Sequence, residues 1–324
     1  MITVKTPFRM SFFGGGSDFP DFYRQHGGTV LSAAFDKFCY VTLRALPPLF
    51  DYKSEFVYSK TERVRDNTEI SHPAIREAML WQGVQGVRLT YDADLPARSG
   101  LGTSSSFAVG MLHAIHAMRG EATTPRMLAD EAIYLERTLC RECGGVQDQI
   151  AAAFGGFNRI DFDKNGYTVT PILMDSARKA ELEGNLMLFF MGTSRFSAEL
   201  QVSHQAALSV KHRELSRMAQ MAREACEILA GDAPLSLFGK MLHEAWQIKR
   251  GITGEITNDT VDAYYQRAMA AGALGGKLLG AGGGGFLLFY VEDDRKAAVR
   301  KALGGLTEIS FAFEDNGSRI VIEQ

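Results

Sequence analysis

Residues 95–110, LPARSGLGTSSSFAVG, constrain this 324-residue chain more than any other stretch. Alternating apolar and polar residues predict a strand over 87–92, and apolar residues at three- and four-residue spacing predict a helix over 107–118. Gly100 and Gly102 therefore lie where a strand becomes a helix. The unpaired amides and the positive dipole end of such a helix attract anions, and glycines let a ligand come close. The stretch fits a phosphate-binding loop, and it fits an ordinary capped helix equally well.

The hydroxyl side chains that follow the glycines leave two uses open. Thr103, Ser104 and Ser105 could cap the helix or complete the ligand shell of a magnesium ion. The best-known phosphate loop is excluded, because no G-x-x-x-x-G-K-[ST] occurs in the sequence. Residues 272–278 only approximate it, with one residue too few and Leu278 where the hydroxyl belongs.

Composition indicates a globular protein, and the length of 324 residues fits one large or two medium domains, of which we favour two. Hydrophobic residues make up 46% of the chain and prolines number 9, and a net charge of -3 argues against a general nucleic-acid binder. We expect a cytoplasmic protein with no membrane segment, because no 18-residue apolar run and no signal-like N-terminus occur. Four cysteines predict reduced thiols, and the Cys140–Cys143 spacing without a second pair makes a metal or redox motif a poor interpretation.

The N-terminal segment predicts a strand over 2–13, interrupted at Pro7, that ends in a glycine-rich loop. Successive glycines allow a backbone to approach a ligand or to adopt positive φ, and the aspartate that ends the loop could accept hydrogen bonds from hydroxyls. A flexible hairpin loop remains the alternative. The loop residues are Gly14, Gly15, Gly16, Ser17 and Asp18.

The rest of the first half predicts both strands and helices. Strands are expected over 30–35 and 38–44 with a turn at 36–37, followed by surface strands and loops over 47–73. A helix is predicted over 125–141, where Glu136 lies beside the apolar stripe and could form an ion pair or bind magnesium. Asp148 stands at the start of a short helix, where an aspartate can be a cap or a functional acid.

The second half predicts a mixed α+β arrangement. We expect a hairpin over 155–172, a domain boundary within 171–184, a strand over 186–191, and helices over 199–230, 235–248 and 259–271. The glycine-rich run 275–285 contains a literal G-x-G-x-x-G, but a strand follows it, so the dinucleotide interpretation is rejected. Its backbone is expected to close over a ligand or the first loop. A helix over 293–303 and strands over 307–313 and 319–322 complete the half.

Three ordered motifs together resemble the GHMP kinase superfamily. They are residues 7–19, PFRMSFFGGGSDF; residues 96–105, PARSGLGTSS; and residues 277–285, KLLGAGGGG. The resemblance spans essentially the whole chain. It implies an α+β, two-domain GHMP kinase fold, with a ribosomal-protein-like α/β domain over 1–175 and a ferredoxin-like α+β domain over 176–324.

The resemblance also implies site residues. Asp148 matches the catalytic acid and Arg9 the arginine beside it, while Ser104 and Glu136 match the magnesium ligands. The sugar would be bound by residues 14–18. The cofactors would be ATP and Mg²⁺, with ATP held by Gly100, Leu101, Gly102, Thr103, Ser104, Ser105 and Ser106.

Within the superfamily the motifs look most like the sugar-1-kinases of heptose 7-phosphate, which implies ATP-dependent phosphorylation of C1 of D-glycero-D-manno-heptose 7-phosphate. Galactokinases have Gly-Glu-His where this chain has three glycines at 14–16, so galactose is an unsuitable substrate. The alternatives are a 1-kinase for another sugar such as fucose, a non-catalytic ligand sensor and, last, a serine hydrolase, which lacks its G-x-S-x-G motif. A homodimer is a further expectation. Candidates for binding the 7-phosphate are Arg141, Arg195, Lys249 and Arg250.

Overall fold

The computed structural model describes residues 1–192, 211–252, 256–280 and 282–323. Its strands are β1 (Ile2–Phe13), β2 (Gly28–Ala45), β3 (Ser54–Val57), β4 (Thr61–Val64), β5 (Val87–Ala93), β6 (Phe157–Asp163), β7 (Gly166–Pro171), β8 (Leu186–Phe190), β9 (Gly275–Leu278), β10 (Phe286–Tyr290), β11 (Thr307–Ile309) and β12 (Arg319–Glu323). Its α-helices are α1 (Pro20–His26), α2 (Pro73–Trp81), α3 (Thr103–Met118), α4 (Pro125–Tyr134), α5 (Gln147–Phe154), α6 (Ser176–Gly184), α7 (His212–Ala230), α8 (Ser236–Arg250), α9 (Asp259–Ala270) and α10 (Lys296–Ala302). Shorter turns are 3₁₀ at Asn67–Glu69 and Asp293–Arg295 and π at Leu135–Leu139.

Two sheets organise these elements. The larger has eight strands, in the order β12-β1-β2-β5-β3-β4, with β6 pairing with both β2 and β7. The smaller has four, in the order β11-β8-β10-β9, and all its pairs are antiparallel. None of the helices in the described part of the chain combines the length and the apolar character needed to cross a bilayer.

Strands β1 and β2 correct two sequence expectations. β1 continues through Pro7 without a break, and β2 is one 18-residue strand where we expected two strands and a turn. Pro7 pairs with Phe38 and Phe8 with Phe35, so Asp36 and Lys37 form a bulge. Proline has no N–H to donate to the ladder, which suits it to a bulge.

Helix α3 lies at the centre of the first half. It packs against β1 and β2. Nearly all of its side chains are buried, because the helix itself has apolar or small residues on every face. Gly110 is needed for this packing, since a Cβ there would lie 2.8 Å from Thr6 Oγ1. The helix start is therefore fixed against the sheet by close packing.

The two sheets share one apolar core. One cluster of buried side chains includes Phe12 and Phe157 from the larger sheet, Leu188 and Phe286 from the smaller one, and Phe238 from α8. The rings of Phe12 and Phe157 stack at 5.2 Å, and Phe238 meets Phe12 edge-on at 5.4 Å. The division at residues 175 and 176 remains a prediction, and the structure gives the proposed halves a continuous interface.

The last strand, β12, belongs to the larger sheet. β12 pairs with β1, and Phe35 bridges to Phe313, whereas we expected residues 319–322 to complete the second half. Ser318 Oγ is hydrogen-bonded to Thr6 Oγ1 and to His113 Nδ1 at 2.9 Å each. The chain therefore crosses back after β11 and closes the edge of the sheet beside β1.

Other boundaries differ from expectation by local effects. Helices α1 and α2 and strand β9 were not predicted, and the expected helix over 125–141 becomes a π turn after Tyr134. The strand expected over 307–313 ends at Ile309. The start of the helix expected over 199–230 lies outside the described residues, and the described part begins at His212.

Candidate active site

The loop between β5 and α3 presents a helix start without a side-chain cap. Gly100 and Gly102 have φ of +82° and +72°, and Gly102 is the N-cap residue. Among the residues that the structure describes, no side chain caps this first turn, so of the two uses left open for Thr103, Ser104 and Ser105 the capping one is wrong. The first-turn amides thus remain available for an anion.

The serine hydroxyls of this turn have two different kinds of partner. Ser104 Oγ donates to Glu136 Oε1 at 3.2 Å, and Ser105 Oγ donates to Glu136 Oε2 at 2.8 Å. Ser106 instead donates to the carbonyl of Pro7 at 2.8 Å and is fully buried, so its hydroxyl joins α3 to β1. Leu101 is also fully buried and its carbonyl accepts from the Arg9 amide. The side chains of Ser106 and Leu101 therefore face the core, and any contact of these two with a nucleotide would come from backbone.

Arg9 and Asp148 form a two-pronged ion pair. Arg9 Nε and NH2 donate to the two Asp148 oxygens at 2.8 Å each, and NH1 donates to the carbonyl of Gly100 at 2.7 Å. Asp148 is the second residue of α5 and makes no capping hydrogen bond, so the capping interpretation is wrong. Arg9 is buried and the Asp148 side chain is 28% exposed. The carboxylate is thus fixed in direction while one side stays accessible.

The first glycine loop holds Asp18 next to Asp148. Asp18 Oδ1 accepts from the Gly16 amide at 2.9 Å and Oδ2 from the Gln147 amide at 3.2 Å. Burial raises the pKa of Asp18, and the nearby Asp148 adds to the rise. Gly145 must be glycine, because a Cβ there would lie 1.8 Å from Asp18 Oδ2.

The other members of this loop differ in what they can reach. Ser17 Oγ is fully buried, donates to Gly14 O at 2.7 Å and accepts from the Thr29 amide, so its side chain secures the loop. Gly14 has φ of +83°, and a Cβ there would collide with Thr29 O. Gly15 and Gly16 line the cavity described below. The loop leads into α1, so the flexible-hairpin alternative is wrong.

Glu136 lies in the π turn, where the widened backbone follows α4. Burial raises the pKa of Glu136 to about 7 and Glu142 adds to the rise, while hydrogen bonds from Ser105 and Gln149 oppose it. π turns are frequent at functional sites because they redirect a side chain. Carboxylate and hydroxyl oxygens are the ligands that Mg²⁺ prefers, so Glu136 and Ser104 fit the donor set of a magnesium site.

Two lysines line the site, Lys277 buried and Lys249 half-buried, and the sequence did not suggest this position for either. Lys249 Nζ donates to the carbonyls of Leu278 at 3.0 Å and Gly280 at 2.5 Å. Lys277 Nζ donates to Ser11 O at 2.8 Å and Phe12 O at 2.6 Å. Burial lowers the pKa of Lys249 to about 7, with Arg9 contributing, and that of Lys277 lies well below its usual range. The helical pattern around Lys249 resembles a solvated face, and the glycine-rich context of Lys277 drew attention to backbone, so sequence alone gave neither lysine this position.

The second glycine-rich run packs directly on the loop before α3. A Cβ on Gly280 would lie 2.3 Å from the Cα of Gly100, and one on Gly285 would lie 2.3 Å from the carbonyl of Ser99. The run links the antiparallel strands β9 and β10, so the rejection of a dinucleotide fingerprint is confirmed. Of the two expectations for this run, closure over another loop is the one that the structure displays.

These groups surround one cavity of about 270 Å³. It brings together nearly all the side chains that the sequence analysis assigned to chemistry, including Lys249, and adds Lys277. The lining includes Arg9, Asp18, Ser104, Ser105, Glu136, Gln147, Asp148, Gln149, Lys249 and Lys277. Gly100 lies against Gly280 and Gly102 lies against Arg9, while Thr103 is the buried first residue of α3.

The three candidates for a distal phosphate that the structure describes have different surroundings. Arg250 pairs with Asp262 at 2.5 Å, and Arg141 is exposed with a φ of +56° after the π turn. Lys249 lies in the cavity beside Gly280. Arg195 lies outside the described residues.

Comparison with known proteins gives a consistent result. The family described as GHMP kinases N terminal domain matches residues 69–156, and the family described as GHMP kinases C terminal matches residues 221–305. The D-glycero-alpha-D-manno-heptose 7-phosphate kinase of Campylobacter jejuni is 28% identical, covering 97% of each chain. The bifunctional fucokinase/GDP-fucose pyrophosphorylase of Arabidopsis thaliana is 26% identical over 91% of this chain and 30% of that protein.

A solved structure matches along the full length. The crystal structure of a D-glycero-D-manno-heptose 1-phosphate kinase from Bacteroides thetaiotaomicron superposes with a TM-score of 0.80 at 27% identity, covering 100% of both chains. The names of these two heptose enzymes place the phosphate of the substrate at different carbons.

Proposed function

This chain belongs to the GHMP kinases and is a sugar kinase, and from that premise we propose that it phosphorylates C1 of D-glycero-D-manno-heptose 7-phosphate with ATP. The product would be the 1,7-bisphosphate, a precursor for nucleotide-activated heptose. The observation that carries the proposal is the Arg9–Asp148 pair, which holds a carboxylate at the cavity beside an uncapped helix start and beside Glu136.

In the proposed reaction Asp148 accepts the proton of the anomeric hydroxyl. The sugar oxygen forms a bond to the γ-phosphorus, the bond from that phosphorus to the β,γ-bridging oxygen breaks, and ADP leaves with the electron pair. An anomeric hydroxyl is more acidic than an ordinary alcohol, so a carboxylate within hydrogen-bond reach suffices as the base.

Positioning and charge neutralisation supply the rest of the catalysis. Arg9 keeps the Asp148 carboxylate in one orientation and adds positive charge near the transferring group. The backbone of residues 100–106 would hold the phosphates of ATP, and the Ser104 and Glu136 oxygens would hold Mg²⁺. That ion, when bound, neutralises phosphate charge.

Sugar recognition is proposed for the first glycine loop and Asp18. The Asp18 carboxylate uses two acceptor sites on backbone amides and keeps others for sugar hydroxyls. Gly15 and Gly16 line the cavity without side chains, where galactokinases carry Glu and His, so the site has room for a larger or phosphorylated sugar. A homodimer remains a prediction.

A substrate panel tests the proposal. ADP release would be measured with heptose 7-phosphate, heptose 1-phosphate, free fucose and free galactose, and the product identified by phosphorus NMR. We expect turnover of heptose 7-phosphate and a new anomeric phosphate resonance. Turnover of fucose but not of heptose 7-phosphate, or a new phosphate at any other carbon, would reject it.

A further inference from the structure

Lys249 is half-buried, whereas Lys240, the other lysine of α8, is exposed. Lys249 lies one position before the end of the helix, in the cavity that holds Arg9 and Asp148. Its two hydrogen bonds go to the carbonyls of Leu278 and Gly280 at the start of the second glycine run. Within the residues that the structure describes, no carboxylate pairs with this ammonium.

A half-buried ammonium whose two hydrogen bonds both go to neutral carbonyls lacks a counter-charge. Removing a charge from water is costly unless an opposite charge or several hydrogen bonds replace the lost hydration. A lysine has three donors, and two are used here, so one remains. Lys277 repeats the pattern with the carbonyls of Ser11 and Phe12, and Arg9 already shares its charge with Asp148. Arg9, Lys249 and Lys277 thus line the cavity as three basic side chains, and only Arg9 has a carboxylate partner within the described residues.

The position of Lys249 indicates which anion belongs there. Its acceptor Gly280 packs on Gly100, whose carbonyl binds the same Arg9 that orients Asp148. A chain of direct contacts thus joins Lys249 to the proposed base and to the loop before α3.

We infer that Lys249 binds the transferring phosphoryl group of the nucleotide, with the second glycine run holding its ammonium in place through two carbonyls. This inference rests on the proposed function in taking the cavity as the site of phosphoryl transfer. It adds a catalytic lysine delivered from the second half of the chain to the Arg9–Asp148 pair of the first. The stabilisation that the Lys249 ammonium provides would increase as the bridging bond breaks, because charge spreads over the phosphoryl oxygens in the transition state.

Nucleotide binding tests this directly. Lys249→Met removes the charge at similar length, and Lys240→Met changes an exposed lysine of the same helix as a matched control. Affinities for Mg·ADP and for the magnesium complex of β,γ-imido-ATP would be measured by calorimetry. We expect the imido analogue to bind about tenfold to a hundredfold more weakly to Lys249→Met, as for a lost charged hydrogen bond, with ADP affinity within about twofold. Lys249→Arg should recover part of the loss, and Lys240→Met should match the wild type.

Other outcomes would overturn the inference. Equal weakening of both nucleotides would mean that the lysine only holds the glycine run, and an unchanged analogue affinity would mean no phosphoryl contact. A rise confined to the KM for the sugar phosphate would assign Lys249 to the distal phosphate. If the methionine variant does not fold, Lys249→Gln keeps one donor for the loop without the charge. The nucleotide measurement needs no sugar, so failure of the substrate panel leaves it intact.

Discussion

Arg9 connects three parts of the chain that lie far apart in sequence. Its side chain binds Asp148, 139 positions later, and the carbonyl of Gly100, while its backbone amide donates to Leu101 O at 3.1 Å. Removing the Asp148 charge should therefore affect chemistry more than folding, because Arg9 keeps its other partners.

Asp148→Asn should lower kcat by about a hundredfold or more, since the amide cannot accept the hydroxyl proton. The melting temperature should stay close to that of the wild type. Asp232→Asn, at an exposed aspartate, is the matched control and should retain full activity. A ligand sensor would keep its function in Asp148→Asn. Full kinase activity of that variant would show that Asp148 is not the catalytic base.

Proton uptake should accompany nucleotide binding at pH 8. The pKa of Lys249 is lowered to about 7 by burial and by Arg9, so at pH 8 most of the free enzyme carries the neutral amine. Phosphate oxygens beside the amine would raise that pKa and draw a proton from solution, whereas at pH 6 the lysine is already protonated.

Calorimetry of the imido analogue in two buffers of different ionisation enthalpy measures this uptake. We expect an uptake at pH 8 that approaches one proton and that Lys249→Met loses, with little uptake at pH 6. Comparison of the two proteins removes the contribution of Lys277. The same uptake in both proteins, or proton release at pH 8, would contradict the expectation.

Sequence reasoning reached most of the site residues but not all their contacts. The motifs placed Arg9, Asp148 and Glu136 in one site by resemblance, and the structure brings them together around one cavity. Sequence reasoning missed Lys277 as a member of the site and named Lys249 only as one of four candidates for binding a distal phosphate. A lysine in a helical pattern looks the same in sequence whether its face is solvated or covered, because only tertiary packing decides that.

At the scale of elements, the loop before α3 and the second glycine-rich run, residues 275–285, pack tightly against each other. Gly100, Gly280 and Gly285 approach so closely that no side chain fits between the loops. This explains the glycine content of residues 275–285 by backbone packing, and it relates the third motif to the loop that precedes α3.

Gly280→Ala should destabilise the protein and reduce activity strongly, because its Cβ would lie 2.3 Å from the Cα of Gly100. Gly120 provides the control, since it has φ of +69° but no atom lies within 4 Å of the place that a Cβ would take. Gly120→Ala should cost only the backbone strain, about 1–2 kcal/mol. Chemical denaturation and steady-state kinetics of both variants check this. Similar losses in the two variants would show that the loops are not in tight contact.

Strand partners were less predictable than strands. Periodicity identified β5, β6 and β8 closely, but the bulge at Asp36 and Lys37 looked like a turn in the sequence. Polar residues within a strand suggest a turn unless a partner is known. Here the partner is Ala312, whose amide donates to Asp36 Oδ1 at 3.0 Å and whose carbonyl accepts from the Asp36 amide at 2.9 Å.

For the whole molecule, the matches to the GHMP kinases confirm the two-domain fold that the motifs implied. The sequence did not reveal that the proposed domains share a core, or that β12 returns to the larger sheet. Local patterns contain no information on which sheet an edge strand joins.

Residues 1–175 expressed alone should therefore fail to fold cooperatively. The fragment lacks β12 and the Phe313 ring that packs edge-on against Phe157 at 5.2 Å, and it exposes the shared apolar cluster. The full chain should show one thermal transition by circular dichroism. A cooperative transition of the isolated fragment would establish the first domain as independent.

The most direct test of the proposed mechanism is a crystal structure of the enzyme with magnesium, β,γ-imido-ATP and heptose 7-phosphate. We predict the triphosphate on the backbone amides of residues 102–105 and an Asp148 oxygen at about 2.6–3.2 Å from the C1 oxygen. A triphosphate bound elsewhere, or a C1 hydroxyl turned away from Asp148, would contradict it.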